Sequence, residues 1–229
     1  MKAHQLAVLN FLKGLKPGRL LDAGSGGDSL GLILEEKGFD VFSLDLYDRT
    51  RLKGRFVKAD MNEMLPFVNG SFDYVLCSES LQYLENHAVL FREFRRVLKA
   101  GGSVILSVPN VLSARSRLYF LRRGYYPHFK PVRTVDISKE WDSISYHPIS
   151  FVEILEFVKR NNFRLKALKA SKMKSSNLPL YPFLKALYSL GLLFESHLEK
   201  AELLKYLSSR EVLLGDHLII HIEQDRRVA

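Results

Sequence analysis

Apolar and polar positions follow one another in blocks that predict strands separated by helices. Short apolar runs at Arg19–Ala23, Asp40–Asp45 and Ser103–Val108 are typical of buried strands. In contrast, the segment from Glu85 to Leu98 places its apolar residues on one helical face. Because strands alternate with helices, the pattern predicts a parallel sheet with helices on both faces.

The remaining elements complete the predicted sheet. Further strands are predicted at Arg55–Ala59, Ser71–Ser78, Phe163–Lys169 and His217–Glu223. Helices are predicted over residues 3–13, 29–37, 113–123 and 150–161, and over most of 172–215. No obvious crossover helix docks the last strand parallel, so we expect it to run antiparallel. The predicted fold class is α/β: a three-layer, Rossmann-like, seven-stranded, mostly parallel sheet with an antiparallel last strand.

The length predicts one domain with two insertions. A chain of 229 residues can bury one sizeable core, so we expect a single domain over residues 1–229. The pattern is interrupted at about 110–149 and 172–215, where aromatic residues crowd the sequence. We expect these insertions to form a lid over a substrate. The lone cysteine, Cys77, lies in an apolar run and is expected to be buried.

A glycine-rich turn after the first strand carries the strongest chemical signal. Gly24 and Gly26 follow that strand, and the second strand ends at Asp45. Glycines let a ligand approach the backbone, and an acid at the next strand end can hold ribose hydroxyls. This arrangement predicts a nucleotide pocket. NAD is a weak alternative, because its fingerprint needs a glycine where Ser29 stands.

Five motifs in order resemble the class I S-adenosylmethionine-dependent methyltransferases. They are Asp22 with Gly24 and Gly26, then Asp45, then Asp60 with Met61, then the strand Phe72–Leu81, and finally the run Phe94–Asn110. The resemblance covers roughly residues 18–110, 148–170 and 216–223. It implies an enzyme that uses S-adenosylmethionine and releases S-adenosylhomocysteine.

The resemblance also implies how each motif residue contacts the cofactor. Asp22 pairs with the amino group, and Asp45 accepts two hydrogen bonds from the ribose diol. Asp60 accepts a hydrogen bond from the adenine amine, with Met61 against the ring. The other residues expected at the cofactor are Ala23, Gly24, Ser25, Gly26, Leu46 and Ser78.

Two departures from the family pattern matter. Asp28 stands where the third glycine is expected, and its carboxylate can cap the next helix or repel the cofactor's own carboxylate. The segment after the fourth strand is similar to the ubiquinone-biosynthesis O-methyltransferases. Those proteins usually carry Glu-His where this chain has Gln82 and Tyr83. Metal-assisted or histidine-assisted chemistry at that position is therefore not expected, and no metal site is predicted.

Methyl transfer to a hydroxyl needs a group that removes the proton. The candidate bases are His147 and His128, both in the segment after the fifth strand, and Tyr83 is a candidate for positioning the acceptor. The other histidines lie on predicted helix or strand faces and are assigned no chemistry: His4, His87, His197, His217 and His221.

The charge distribution points to an anionic acceptor. The net charge is +9, and residues 111–134 contain six Arg and Lys but no Asp or Glu. With the aromatic residues, this block favours a small-molecule, lipid-linked or glycan acceptor that is methylated at oxygen. Two alternatives stay open: an RNA methyltransferase, and a non-catalytic protein that kept the cofactor fold.

The terminal and apolar segments predict a location. The first ten residues lack the apolar core of a signal peptide, and the most apolar stretch is interrupted by Pro179, Pro182 and Lys185. We therefore expect a cytoplasmic protein that can contact a membrane peripherally.

Overall fold

A seven-stranded sheet forms the centre of the part of the chain that the structure describes. The computed structural model describes residues 1–27, 30–48, 55–129 and 146–225. The strands are β1 (Arg19–Ala23), β2 (Asp40–Asp45), β3 (Phe56–Lys58), β4 (Phe72–Ser78), β5 (Leu98–Pro109), β6 (Phe163–Ala170) and β7 (His217–Gln224). Their order across the sheet is β3-β2-β1-β4-β5-β7-β6. Strands β1 to β5 pair in parallel, and β7 runs antiparallel to both β5 and β6. The predicted fold class is thereby confirmed.

The helices cover both faces of this sheet. They are α1 (Ala3–Leu12), α2 (Leu30–Glu36), α3 (His87–Val97), α4 (Ala114–Arg123), α5 (Phe151–Arg160), α6 (Tyr181–Phe194), α7 (Leu198–Leu207) and α8 (Arg210–Leu214). No helix in the described ranges is long and apolar enough to cross a membrane.

Alternating strand residues divide the interior into two cores. Leu20 and Ile105 pack with α1 and α2 on one face, whereas their neighbours Leu21 and Val104 pack with α3 and α5 on the other. Successive side chains of a strand point to opposite faces, so a strand that is covered on both sides is apolar throughout. This explains why the strands read as continuous apolar runs rather than as alternating ones.

Local capping sets several helix boundaries. Ser113 and Ser150 cap α4 and α5, and each accepts a hydrogen bond from a backbone N–H in the first turn. The prediction for α3 was too long, because Asn86 is its N-cap. Leu98 already pairs with Phe72 in the sheet, and the register shifts before Ser103 pairs with Tyr74. The strand predicted from Ser103 therefore starts earlier, and residues 99–102 are an irregular first part of β5.

Helix α3 holds the loop that follows β3 through a buried ion pair. The Glu93 side chain accepts a hydrogen bond from the Leu65 N–H (2.7 Å), and Arg96 donates to the carbonyls of Leu65 (2.8 Å) and Phe67 (2.6 Å). Arg96 also pairs with Glu93, which holds the pKa of that carboxyl below its usual range. The same loop carries Asp60 and Met61, so this ion pair fixes one wall of the predicted nucleotide pocket.

Removing the Arg96 side chain should destabilise the fold. Arg96→Ala leaves the Glu93 carboxylate, which is only 9% exposed, without its ion-pair partner. We expect a loss of about 2 kcal/mol or more in the free energy of unfolding, measured by urea denaturation. The matched variant Arg92→Ala removes an exposed arginine from the same helix and should stay within about 0.5 kcal/mol of the wild type. Equal stability of both variants would contradict this role.

Candidate cofactor and acceptor site

The carboxyl ends of β1, β2 and β4 meet at the point where the strand order reverses. Strand β1 lies between β2 and β4, and the chain continues outward from it in both directions. In open α/β sheets, ligands bind at such a switch point, outside the carboxyl ends of the strands. The predicted glycine turn, Asp45 and the end of β4 all lie at this edge.

The turn after β1 has no room for a side chain at Gly24. Gly24 has a φ of +80°, and a Cβ there would overlap with the Ser80 hydroxyl. That hydroxyl donates a hydrogen bond to the Gly24 carbonyl (3.1 Å), and the Gly24 N–H donates to the Leu44 carbonyl (2.8 Å). The backbone of this turn is therefore held against both neighbouring strands, and glycine is the residue that permits it.

The Asp45 carboxylate joins the end of β2 to the same turn. Its Oδ2 accepts a hydrogen bond from the Gly26 N–H (2.8 Å), and its Oδ1 accepts one from the Tyr47 N–H (3.0 Å). A carboxylate offers about four acceptor positions, so each oxygen keeps one for a ligand. These bonds fix the orientation of Asp45 before any ligand binds.

Two cavities with shared walls lie around this turn. One, of about 380 Å³, is lined by Asp45, Leu46, Asp60 and Met61, among others. The other, of about 290 Å³, is lined by Asp22, Ser25, Gly26 and Ser78, among others. Gly24, Asp45, Ser80 and Tyr83 line both cavities.

The structure thus brings together nine of the ten residues expected at the cofactor. The tenth, Ala23, is fully buried beneath the turn. Asp60 is oriented by the Asn62 side chain and backbone N–H, both of which donate to its Oδ1. Asp28, where the family pattern has a glycine, lies outside the described residues. The individual contacts expected of the other nine stay predictions.

The three candidates for proton removal and acceptor positioning lie in different places. Tyr83 lines both cavities, and its ring lies 5.0 Å from that of Tyr146. His147 lines neither of these cavities. Its backbone N–H donates to the Gln82 carbonyl (3.0 Å), and its ring centroid lies 5.3 Å from that of His87. His128 lines a separate cavity at the start of α4. The catalytic roles of His147 and His128 stay predictions.

A cluster of two imidazoles and a carboxylate lies beside the glycine turn. Glu79, immediately after β4, has a φ of +58°, and with His4 it lines the smaller cavity. The Glu79 side chain accepts a hydrogen bond from the Ser107 hydroxyl (2.8 Å), and its Oε2 lies 3.3 Å from His217 Nε2. The His4 and His217 rings are 5.1 Å apart. One ligand atom from each of these three residues lies within 4.8 Å of the others, so they are also the described group that a metal ion would fit.

Comparisons with known proteins agree with this geometry. A family of methyltransferase domains matches residues 21–106. The ubiquinone biosynthesis O-methyltransferase of Dechloromonas aromatica is 25% identical over 162 residues, which are 58% of this chain and 70% of that protein. An S-adenosylmethionine-dependent methyltransferase from Mesorhizobium loti has a TM-score of 0.59 at 18% identity, covering 97% of this chain and 98% of that one. Another, from Archaeoglobus fulgidus, has a TM-score of 0.60 at 17% identity, covering 97% of this chain and 92% of that one.

Residues 21–106 thus match the methyltransferase domain family, and the chain has the fold of the S-adenosylmethionine-dependent methyltransferases. The switch-point cavities fit S-adenosylmethionine: a Cβ on Gly26 would meet no neighbouring atom within 4 Å, and oriented carboxylates border the turn at Asp45 and Asp60.

Sequence reasoning did not predict that His4, Glu79 and His217 lie together beside the glycine turn. His217 was interpreted as an ordinary strand residue. However, β7 runs antiparallel, so its first residue lies at the carboxyl edge of β1–β5. The predicted antiparallel direction was the signal that places His217 there. No comparable signal links His4 to this site, because it depends on how α1 docks on the sheet.

The pKa of His217 is raised above its usual value. Burial alone would lower it, but the hydrogen bond with Glu79 and the negative charges of Glu79 and Asp216 outweigh that effect. A raised pKa in the folded state stabilises the fold below the unfolded value of about 6.5. That contribution is lost as the pH rises through the folded pKa.

Neutralising Glu79 should therefore lower the pKa of His217. Glu79→Gln keeps the side-chain shape but removes the charge and the charged acceptor, so the burial effect should dominate. A titration of the histidine ring signals by NMR would measure this shift. The ring of His147, which has no described contact with Glu79, is the internal reference. An unchanged His217 titration in the variant would rule out the pairing.

Proposed function

We propose that the methyltransferase methylates a hydroxyl oxygen of a small-molecule, lipid-linked or glycan acceptor. The observation that supports this most directly is the Glu79 carboxylate. It lines the cavity beside the glycine turn and is held by Ser107 and His217. The ubiquinone-biosynthesis relatives, by their name, act at oxygen.

In this proposal the two cavities around the glycine turn bind the methyl donor, and they are called the donor cavities. Their carboxylates hold the cofactor. Asp45 holds the ribose diol with the acceptor positions that its bonds to Gly26 and Tyr47 leave open. Asp22 faces the amino group and Asp60 the adenine amine. S-adenosylmethionine, when bound, supplies a methyl group on an already activated sulfonium, so positioning is the main contribution that the protein must make.

Glu79 is proposed as the proton acceptor. An acceptor hydroxyl beside Glu79 loses its proton to the carboxylate as its oxygen becomes a nucleophile. The backbone of Glu79 is in the left-handed region, which is uncommon outside glycine and clusters at functional sites. His217 and Ser107 both contact the carboxylate, and Tyr83 lines the same cavity with an aromatic ring and a hydroxyl.

Two variants should distinguish cofactor binding from the rate of methyl transfer. Asp45→Ala removes the ribose contact and should weaken binding of S-adenosylhomocysteine at least about 10-fold, measured by calorimetry. Glu79→Gln should bind this ligand like the wild type. Its rate of methyl transfer to a panel of phenols, lipids and glycan precursors should fall at least about 100-fold, measured from labelled S-adenosylmethionine. Tandem mass spectrometry of the products would identify the methylated atom.

Other results would contradict these roles. Unchanged affinity in Asp45→Ala would refute the ribose contact. Unchanged turnover in Glu79→Gln would refute the proposed proton acceptor, and methylation at nitrogen or carbon would refute the reaction type.

The second insertion supports a peripheral membrane contact. Helix α6 has no buried residue, and five of its large apolar side chains are more than half exposed: Phe183, Leu187, Leu190, Leu193 and Phe194. No Asp or Glu occurs between residues 171 and 194. Helix α4, joined to α6 through the contact of Arg117 with Tyr188, adds exposed Arg122 and Arg123. An apolar face beside cations suits the surface of an anionic bilayer.

Charges on the apolar face should abolish vesicle binding. We expect the wild type to co-sediment with phosphatidylglycerol vesicles. Leu190→Glu with Leu193→Glu should lower the bound fraction about 10-fold or more, because both side chains lose their apolar contact with the bilayer. The control pair Met64→Glu with Val68→Glu introduces the same charges at similarly exposed apolar residues of another loop, and should still bind. Equal retention of both pairs would exclude α6 as the contact.

A further inference from the structure

We infer that a basic cavity at the start of α4 binds a phosphate group carried by the methyl acceptor. The cavity measures about 570 Å³ and is lined by residues from α4, from residues 172–177 and from the start of β7. This inference rests on the proposed function, because it assigns the acceptor to one chemical class: phosphomonoesters or diphosphates that also carry a hydroxyl.

The charge of this basic cavity favours an anion. Arg115, Lys172 and Lys174 line it, and Asp216 is the one carboxylate among its described lining residues. Asp216 pairs with Lys174. Neither Arg115 nor Lys172 forms an ion pair with any residue in the described ranges. Two cations that form no ion pair within the described ranges raise the local concentration of anions.

The donor groups favour phosphate among the anions. Besides the cations, the hydroxyls of Ser113, Ser116, Ser175 and Tyr119 line the same cavity. A phosphate offers three strongly accepting oxygens and up to two negative charges, so it can use guanidinium, ammonium and hydroxyl donors together. Helix α4 begins at this wall, with ten residues and no acid in its first turn, and its dipole adds to the attraction.

Two buried asparagines hold the cavity wall in place. Asn177, which is fully buried, accepts a hydrogen bond from the Arg115 N–H (3.0 Å) and donates to the Leu214 carbonyl (3.1 Å). Asn110 donates to the carbonyls of Val212 (2.8 Å) and Gly215 (2.9 Å). These bonds tie the start of α4 and residue 177 to the segment 212–215. The wall is therefore organised before an anion arrives, which lowers the cost of binding.

The basic cavity lies next to the proposed proton acceptor. Asp216 lines the cavity, and the next residue, His217, contacts Glu79 in the smaller donor cavity. The backbone N–H of Asn110 donates to the Asp216 carbonyl (2.9 Å). The wall of the basic cavity is therefore continuous with the wall that holds Glu79. A phosphate held by Arg115 and Lys172 would anchor the acceptor on one side of this wall and leave its hydroxyl for Glu79.

The test measures binding of pyrophosphate to the full chain by calorimetry. We expect the wild type to bind with a Kd of about 1 mM or tighter. Arg115→Gln with Lys172→Gln should weaken binding about 10-fold or more, because both charged donors are lost. The control pair Lys37→Gln with Arg92→Gln removes the same charge from exposed positions outside the cavity lining, and should bind like the wild type.

The possible results separate this inference from the proposed function. S-adenosylhomocysteine is titrated into the same samples. If it binds while pyrophosphate does not, or if both charge pairs weaken pyrophosphate equally, the phosphate site is refuted and methyl transfer stands. If S-adenosylhomocysteine does not bind, the proposed function fails.

A second arm identifies the source of the phosphate. The wild type is bound to vesicles containing phosphatidic acid, and pyrophosphate is then added. If pyrophosphate releases the wild type from the vesicles but does not release the Arg115→Gln, Lys172→Gln variant, this supports a lipid-borne phosphate in the cavity. Pyrophosphate binding without release from vesicles supports a soluble phosphorylated acceptor.

Discussion

The close approach of the Gly24 backbone to its two neighbouring strands is the constraint on which the rest of the site depends. Ser80, after β4, donates to the Gly24 carbonyl, while the Gly24 N–H bonds to Leu44 on β2. Asp45 then bonds to Gly26 two residues later. The ends of β1, β2 and β4 are thereby joined through one turn. The residues around this turn therefore need little rearrangement when the cofactor binds. Glycine makes this possible because any Cβ would overlap with Ser80.

The acceptor side is assembled differently, from residues that are far apart in the chain. His4 comes from the first helix, Glu79 from the end of β4 and His217 from the start of the last strand. They meet only because β7 enters the sheet antiparallel beside β5, and because α1 packs on the face that includes Ile219. The proposed proton acceptor and its neighbours thus depend on the tertiary fold, whereas the donor cavities depend mostly on short turns.

This difference explains what the sequence could and could not predict. The strands β1, β2 and β4 were predicted because a strand covered on both faces is a continuous apolar run, and the cofactor residues follow those runs directly. The start of α3 was misplaced because Asn86 caps it, and the start of β5 because Leu98 already pairs with Phe72. His147 and His217 show the limit most clearly. The first was selected for its place in a predicted lid, yet it packs against His87, and the second was passed over as a strand residue.

The charges of this protein are divided between the two sides in a way that composition does not reveal. Although the net charge is +9, the donor cavities are bordered by the carboxylates of Asp22, Asp45, Asp60 and Glu79. The cations are concentrated around α4 and residues 172–185, where Arg115 and Lys172 form no ion pair within the described ranges. A positively charged methyl donor and a negatively charged acceptor would each be attracted to its own cavity and repelled from the other. Asp216 lines the basic cavity, and the next residue, His217, contacts Glu79. The boundary between the positive and the negative cavities therefore falls beside the proposed proton acceptor.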